Sequence, residues 1–350
     1  PNHINLKMSV FISGANGFIA QHIVAQLLAK DYKVIAGVRS QEKANLLLKN
    51  FNNPNLSCSV VPDITKEDAF DETFKSNGHN IKYVIHAASP VLDNPTDLEK
   101  DFLIPALNGT KAILGSIKRY ANSNVEKFVL TSSLAAMTSV QDYANPQLSF
   151  NEKSWSDYTW ESCQTSLFDA YSASKKFAEE EVWKFAKENS DTIKFSVNSV
   201  YPAFVFGPQF FDSDVKPKLY VTCLFLNDVI HLPVGTTDFS LDPLYWVHVD
   251  DVARAHVQAL DDPTLVGKRL LMCAGLANRQ DMLNIAHSDF PVLNGSVTVG
   301  NPQYGVIGKP SPVAVLNNEE TRKVLGFPFK SLDTMFDDLI RQVLKYEGKI

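Results

Sequence analysis

Ser13-Gly14-Ala15-Asn16-Gly17-Phe18-Ile19-Ala20 follows directly on an apolar run over 10–13 and opens a segment, 18–30, whose apolar residues recur every three or four positions. A strand that ends in a glycine turn and passes into a helix gathers free backbone N–H groups and the positive end of a helix dipole at one point, which is an anion site. The spacing is G-x-x-G-x-x-A, one residue longer than the common dinucleotide fingerprint, with Ala20 in the third small-residue slot. A glycine pair also suits an ordinary strand-to-helix turn. The strand before it and the helix behind it favour a nucleotide site.

Outward from this turn, short β-branched runs alternate with longer amphipathic segments. Strands are predicted over 10–13, 33–38, 59–62, 83–87, 127–131 and 193–200, and helices over 18–30, 98–120 and 171–189, with Pro105 as a possible kink in the second helix. That alternation predicts an α/β fold, a doubly wound parallel sheet of the Rossmann type. After Pro202 the chain is punctuated by Pro208, Pro217, Pro233 and Pro243 and rich in Phe and Tyr, which predicts a smaller α/β substrate-binding lobe. A strand and helix over 245–251 and 252–260 suggest a return to the first domain. The expected division is 8–205 with 245–262 for the dinucleotide-binding domain, and 206–244 with 263–350 for the substrate lobe.

At 350 residues the chain is long enough for two such lobes. Its 45% hydrophobic and 21% charged residues describe an ordinary globular protein. A net charge of −6 argues against a nucleic-acid partner, because no electropositive stripe is available to displace counterions. Cys58, Cys163, Cys223 and Cys273 are widely spaced and form no C-x-x-C pair, so neither a metal site nor a disulfide framework is suggested. Residues 1–7 lack the apolar core of a signal peptide, and no run is long and apolar enough for a membrane span. A cytoplasmic protein whose working part begins near Met8 is expected, as a monomer or homodimer acting on a small molecule.

An NAD site usually presents an acid at the tip of the second strand, about 20 residues on, to hold the ribose hydroxyls. Here the tip reads Gly37-Val38-Arg39-Ser40. The fork of Arg39 suits the 2′-phosphate of NADP, with Ser40 and Lys43 as further donors, so NADPH/NADP+ is the expected cofactor. Asp63, at a strand end, can accept from an adenine amino group, although Asp also caps turns. Ala87, Ala88 and Ser89 leave room for a ribose, although alanines also pack.

Hydride transfer to a carbonyl leaves charge on oxygen, so the site needs a proton donor and hydrogen bonds aimed at that oxygen. Tyr171-Ser172-Ala173-Ser174-Lys175 supplies a phenol and an ammonium on one helical face, and the ammonium is expected to lower the phenol pKa. With 11 tyrosines and 26 lysines, about one such spacing arises by chance, so the motif alone decides nothing. Its context does more: it starts a helix after a long loop and follows Thr131-Ser132-Ser133 at the end of an apolar strand, where a doubly wound sheet lines its crevice. The bland alternative is a capping serine and a surface Tyr–Lys pair. His86 and His248 read as structural residues, and the aromatic set including Phe206, Phe225 and Trp246 as core.

Together with His86-Ala87-Ala88-Ser89-Pro90, Tyr201-Pro202-Ala203-Phe204-Val205-Phe206-Gly207-Pro208 and His248-Val249-Asp250-Asp251-Val252, these motifs cover nearly the whole chain from Met8. The chain resembles the extended short-chain dehydrogenase/reductases, in the dihydroflavonol-reductase-like branch near the yeast NADPH-dependent aldehyde and ketone reductases. The resemblance implies that Ser133 is the catalytic serine, Tyr171 the proton donor, and Lys175 a partner of the nicotinamide ribose. It also places Asn16, Phe18, Ile19, Ile64 and Thr131 beside the cofactor with Gly14 and Gly17, and Pro202 to Val205 along the carboxamide. Val91, Leu134, Thr138 and Phe204 become substrate walls, modest enough in size for a bulky ketone. Ala106 stands where many members carry an asparagine, so an asparagine in a proton relay is in doubt.

The implied activity is reduction of an aldehyde or ketone. Two other readings stay open: a nucleotide-sugar epimerase or dehydratase of the same fold, and a non-catalytic NADP-sensing regulator. The first needs basic residues on a substrate diphosphate, and the chain has only seven arginines. The second can dispense with the Tyr–Lys pair, which this chain presents.

Overall fold

Strands buried on both faces are written as unbroken apolar runs, and β1 (Ser9–Ser13) is buried at every position in the computed structural model. The structure describes residues 8–89, 96–215, 219, 221–236 and 243–350. After β1 come α1 (Phe18–Ala29), β2 (Lys33–Val38), α2 (Gln41–Phe51), β3 (Leu56–Val60), α3 (Asp71–Asn77) and β4 (Ile81–His86). They are followed by α4 (Ile104–Tyr120), β5 (Lys127–Thr131), α5 (Leu167–Glu188), β6 (Ser196–Pro202), α6 (Val249–Asp261) and β7 (Arg269–Met272). The seven strands form one sheet in the order β7-β6-β5-β4-β1-β2-β3, and the pairings from β6 to β3 are all parallel. This is the doubly wound α/β sheet expected from the sequence.

The switch point of that order lies between β1 and β4, where the chain leaves the two strands toward opposite edges. Ser13 ends β1 opposite Gly37 of β2 and His86 of β4, so the glycine turn emerges at the crevice. Phe11, Phe70, Phe74, Val84, Ile113 and Phe128 belong to the core beneath it.

Several elements differ from expectation for physical reasons. β3 runs over Leu56–Val60 rather than 59–62, because in this edge strand only Leu56 is buried and serines interrupt the apolar residues, so it lacks an apolar run. β6 continues through Pro202. The segment expected as a helix over 98–120 begins with a π-helical turn, Glu99–Leu103, and Pro105 lies in the first turn of α4, where its missing N–H is no loss. α5 starts a turn earlier than 171, because Ser166 caps it by accepting from the Asp169 N–H at 3.1 Å. α2 and α3 were not foreseen: only Ala44 and Leu47 of α2 are buried, and α3 is too short to show a period.

The chain forms two compact units. The first comprises 1–140, 152–201 and 253–270 and holds most of the sheet; the second comprises 141–151, 202–252 and 271–350. In the second, Leu244–His248 lies between Gly275–Ala277 and Phe204–Phe206 in a three-stranded sheet. Because that strand pairs there and not in the main sheet, the stretch grouped with the first unit is 253–270, later than the expected 245–262. Leu332–Tyr346 buries Met335, Phe336, Leu339, Ile340 and Val343, the stripe of an amphipathic helix.

Candidate active site

The glycine turn is built by two different constraints. Gly14 has φ +68°, a left-handed conformation that L side chains avoid, and a Cβ there would meet the Ala88 Cα at 2.9 Å. Gly17, with ordinary φ −74°, is the N-cap of α1 and donates its N–H to the Gly14 carbonyl at 2.9 Å. No side chain caps α1 and no acid lies in its first turn, so its positive end is open to an anion. Ser13 braces the turn: its Oγ accepts from the Ala87 and Ala88 N–H groups, each at 3.1 Å, and lies 2.8 Å from His86 Nδ1. With both N–H groups pointing at the oxygen, the serine proton goes to Nδ1. His86 is buried, and burial first, then the Lys175 charge, push its pKa down to about 3, so it is neutral. His248 likewise packs fully buried, 3.2 Å from Asp338.

At the tip of β2, Arg39 is exposed, and Ser40 caps α2 by accepting from the Lys43 N–H at 3.3 Å. Arg39, Ser40 and Lys43 therefore share the N-terminus of α2, with Glu42 as the acid of that turn. Asp63 accepts from the N–H and hydroxyl of Thr65 at 3.0 and 2.6 Å, which holds its pKa low, with a smaller contribution from Arg39. Its carboxylate therefore braces its own turn.

β5 and α5 supply the chemical groups. Ser133 continues the extended backbone beyond β5, with φ −157°; its Oγ accepts from the Ala135 N–H at 3.2 Å, and the hydroxyl lies near enough to Tyr171 to draw the phenol pKa down. Lys175 Nζ sits 5.7 Å from the centre of the Tyr171 ring. Both side chains keep part of their surface open, while their polar ends lie deep among protein atoms. Burial pushes the Tyr171 phenol up and the nearby Ser133 hydroxyl pulls it part of the way back. Burial also lowers Lys175 to about 8. With Lys175 near 8 and the phenol above its ordinary value, the amine loses its proton before the phenol does, so at neutral pH both carry their protons.

A small cleft in the first unit brings together Ile64, Ala88, Ser89, Thr131 and Lys175, with Ala106 where an asparagine was looked for. Thr131 Oγ1 is 2.8 Å from His256 Nε2. Ile64 lies over Gly109, where a Cβ would approach its Cδ1 to 3.2 Å. Phe18 is buried, whereas Asn16 and Ile19 keep partial exposure at the open end of α1. Leu134 and Thr138 are buried, and the Thr138 hydroxyl donates to the Ser139 carbonyl at 3.0 Å. Pro202, Phe204 and Val205 belong to the second unit, and Val91 lies outside the described residues. The sequence reading overlooked Glu179 and Arg269, although a carboxylate on the apolar face of α5 was a cue.

Residues 10–270 match a family profile described as the NAD dependent epimerase/dehydratase family. The chain belongs to that family. Among curated members it is 48% identical to the NADPH-dependent methylglyoxal reductase GRE2 of Saccharomyces cerevisiae, over 98% of this chain and 100% of the relative. The crystal structure of yeast methylglyoxal/isovaleraldehyde reductase Gre2 complexed with NADPH superposes with TM-score 0.94 and the same identity, covering 98% and 100% of the two chains. A Gre2 structure from Candida albicans in complex with NADPH gives 0.91 at 38% identity, over 97% and 99%. Vestitone reductase from alfalfa, at 24% identity and TM-score 0.72 over 98% and 100% of the two chains, shares the fold. Within the epimerase/dehydratase family the chain is thus an extended short-chain dehydrogenase/reductase, as its motifs suggested.

Proposed function

We propose that this chain is an NADPH-dependent reductase of aldehydes and ketones in which Tyr171 protonates the carbonyl oxygen. The observation that carries the proposal is the meeting of Ser133, Tyr171 and Lys175 at the sheet edge that also bears the glycine turn, with Lys175 Nζ 5.7 Å from the Tyr171 ring centre. The fit of the cofactor rests on that turn: a Cβ-free approach at Gly14 and an uncapped helix end admit a diphosphate, with Arg39, Ser40 and Lys43 for the 2′-phosphate. NADPH, when bound, supplies the hydride. Ser133 orients the carbonyl oxygen, Tyr171 gives it a proton, and the Lys175 ammonium offsets the charge left on the phenolate. Leu134, Thr138 and Phe204 are assigned to the substrate on resemblance alone. Among the described residues no helix is long and apolar enough to cross a membrane, and we place the enzyme in the cytoplasm.

The direct test follows NADPH and NADH oxidation over a panel of aliphatic aldehydes, diketones and aryl ketones. Turnover with NADPH supports the reading; no consumption with any carbonyl, or tight binding of UDP-sugars with retained NAD, sinks it. In the same assay Arg39→Leu removes a charge-assisted contact worth about 1.5–3 kcal/mol. The expected result is a rise of about 10- to 100-fold in KM for NADPH with little change for NADH. Equal changes for both cofactors would show that Arg39 does not read the phosphate.

Lys175 makes a prediction about stability. Its pKa falls from 10.5 in the unfolded chain to about 8 in the fold, so between those values the unfolded state binds more protons and stability rises with pH. Below pH about 8 the unliganded fold bears the full penalty of burying the charge, on the order of 3 kcal/mol. Lys175→Met is therefore expected to raise Tm at pH 7 while removing activity, and to flatten the stability curve between pH 8 and 10.5. Thermal unfolding of the unliganded proteins checks this, and an unchanged or lower Tm for the variant would contradict it.

A further inference from the structure

Glu179 lies two turns beyond Tyr171 on α5 and is wholly buried. Its Oε2 accepts from Ser132 Oγ at 2.9 Å, and its Oε1 from Trp183 Nε1 at 2.9 Å and Arg269 Nε at 3.1 Å. Arg269 is itself held: its guanidinium stacks 3.9 Å from the Trp155 ring centre and 4.3 Å from that of Tyr201, and its Nη1 donates to the carbonyls of Glu152 and Ser154 at 2.9 and 2.7 Å. Ser132 is also pinned through its backbone, whose N–H donates to the Val200 carbonyl at 2.8 Å.

A buried ion pair contributes little net stability compared with well-packed apolar groups, but its directional hydrogen bonds fix geometry. Here that geometry concerns two adjacent serines. Ser133 stands against Tyr171 in the second turn of α5, and Ser132 bonds Glu179 eight residues along the same helix. The Ser132–Glu179 bond ties the end of β5 to α5 and so resists sliding of the helix past the neighbouring Ser133. We infer that Glu179, fixed by Arg269, is a positioning residue that acts through Ser132 to hold Ser133 in register beside Tyr171. The inference rests on the roles given to Ser133 and Tyr171 above.

Glu179→Gln would strand the Arg269 charge and could unfold the chain, so the test is made at Ser132, where the ion pair stays intact. Wild type, Ser132→Ala, Ser132→Thr, Ser133→Ala and the double alanine variant are compared in kcat, in KM for NADPH and carbonyl, in NADPH affinity by fluorescence, and in Tm. Ser132→Ala is expected to lower kcat by about 10- to 100-fold, the scale of a small misplacement of reacting groups. Both KM values and the NADPH affinity should stay within about twofold, and Ser132→Thr should restore most of the loss. Because Ser132 acts only through Ser133, its removal in the Ser133→Ala background should lower kcat no further. Normal kcat in Ser132→Ala, a loss that multiplies with that of Ser133→Ala, or a parallel loss of NADPH affinity overturns the inference. Full activity of Ser133→Ala would instead remove the reading on which it stands, and both would fall.

Discussion

Phenylalanine at position 171 is expected to slow carbonyl reduction by at least about 10²-fold while leaving NADPH affinity near that of the wild type. The change removes one oxygen from a ring whose packing is kept, including its approach to Phe168 at 6.4 Å between centres. A loss of that size is about 3 kcal/mol of transition-state stabilisation, the scale of a missing general acid. Burial holds the phenol above its ordinary value, so it carries its proton throughout the neutral range and is available as donor. The Ser133 hydroxyl beside it is a far weaker acid and cannot take over. Single-turnover kinetics at saturating NADPH separate this loss from any change in binding. A variant with near-normal turnover would mean that solvent or another group delivers the proton, and the assignment of the site would fail.

The features legible in the sequence were those carried by neighbours along the chain. β1 and β2 could be read because they are buried almost throughout, whereas the Ser40 cap could not, since only Ala44 and Leu47 of α2 are buried. Tyr171 and Lys175 could be read because one helix turn relates them. The lowering of Lys175 to about 8 and the raised phenol depend on how α5 is buried, which no spacing records. Glu179 was hidden for a related reason: its partners Ser132 and Arg269 lie 47 and 90 residues away in sequence. β3 was misplaced because an edge strand open to solvent has no need of an unbroken apolar run.

The two glycines of the turn, alike in the motif, should respond differently to a methyl group. At Gly14, alanine is expected to weaken NADPH binding by about 10²-fold, close to 3 kcal/mol. Part of this is the penalty of an L residue at φ +68°, about 1–2 kcal/mol. The rest follows from the contacts: the new Cβ would stand 2.9 Å from the Ala88 Cα and 3.1 Å from its nitrogen, and both are backbone atoms. Ala88 cannot easily withdraw, because its N–H is held by Ser13 Oγ at 3.1 Å and Ser13 is in turn tied to buried His86. The turn itself must therefore shift, and the N–H groups at the start of α1 shift with it. At Gly17, φ is ordinary and a Cβ would meet only the Gly14 carbonyl oxygen, at 3.2 Å. Alanine there should cost less than about tenfold. NADPH titration of both variants by fluorescence decides the matter: equal losses, or the larger loss at Gly17, would show that the diphosphate does not lie against the Gly14 turn.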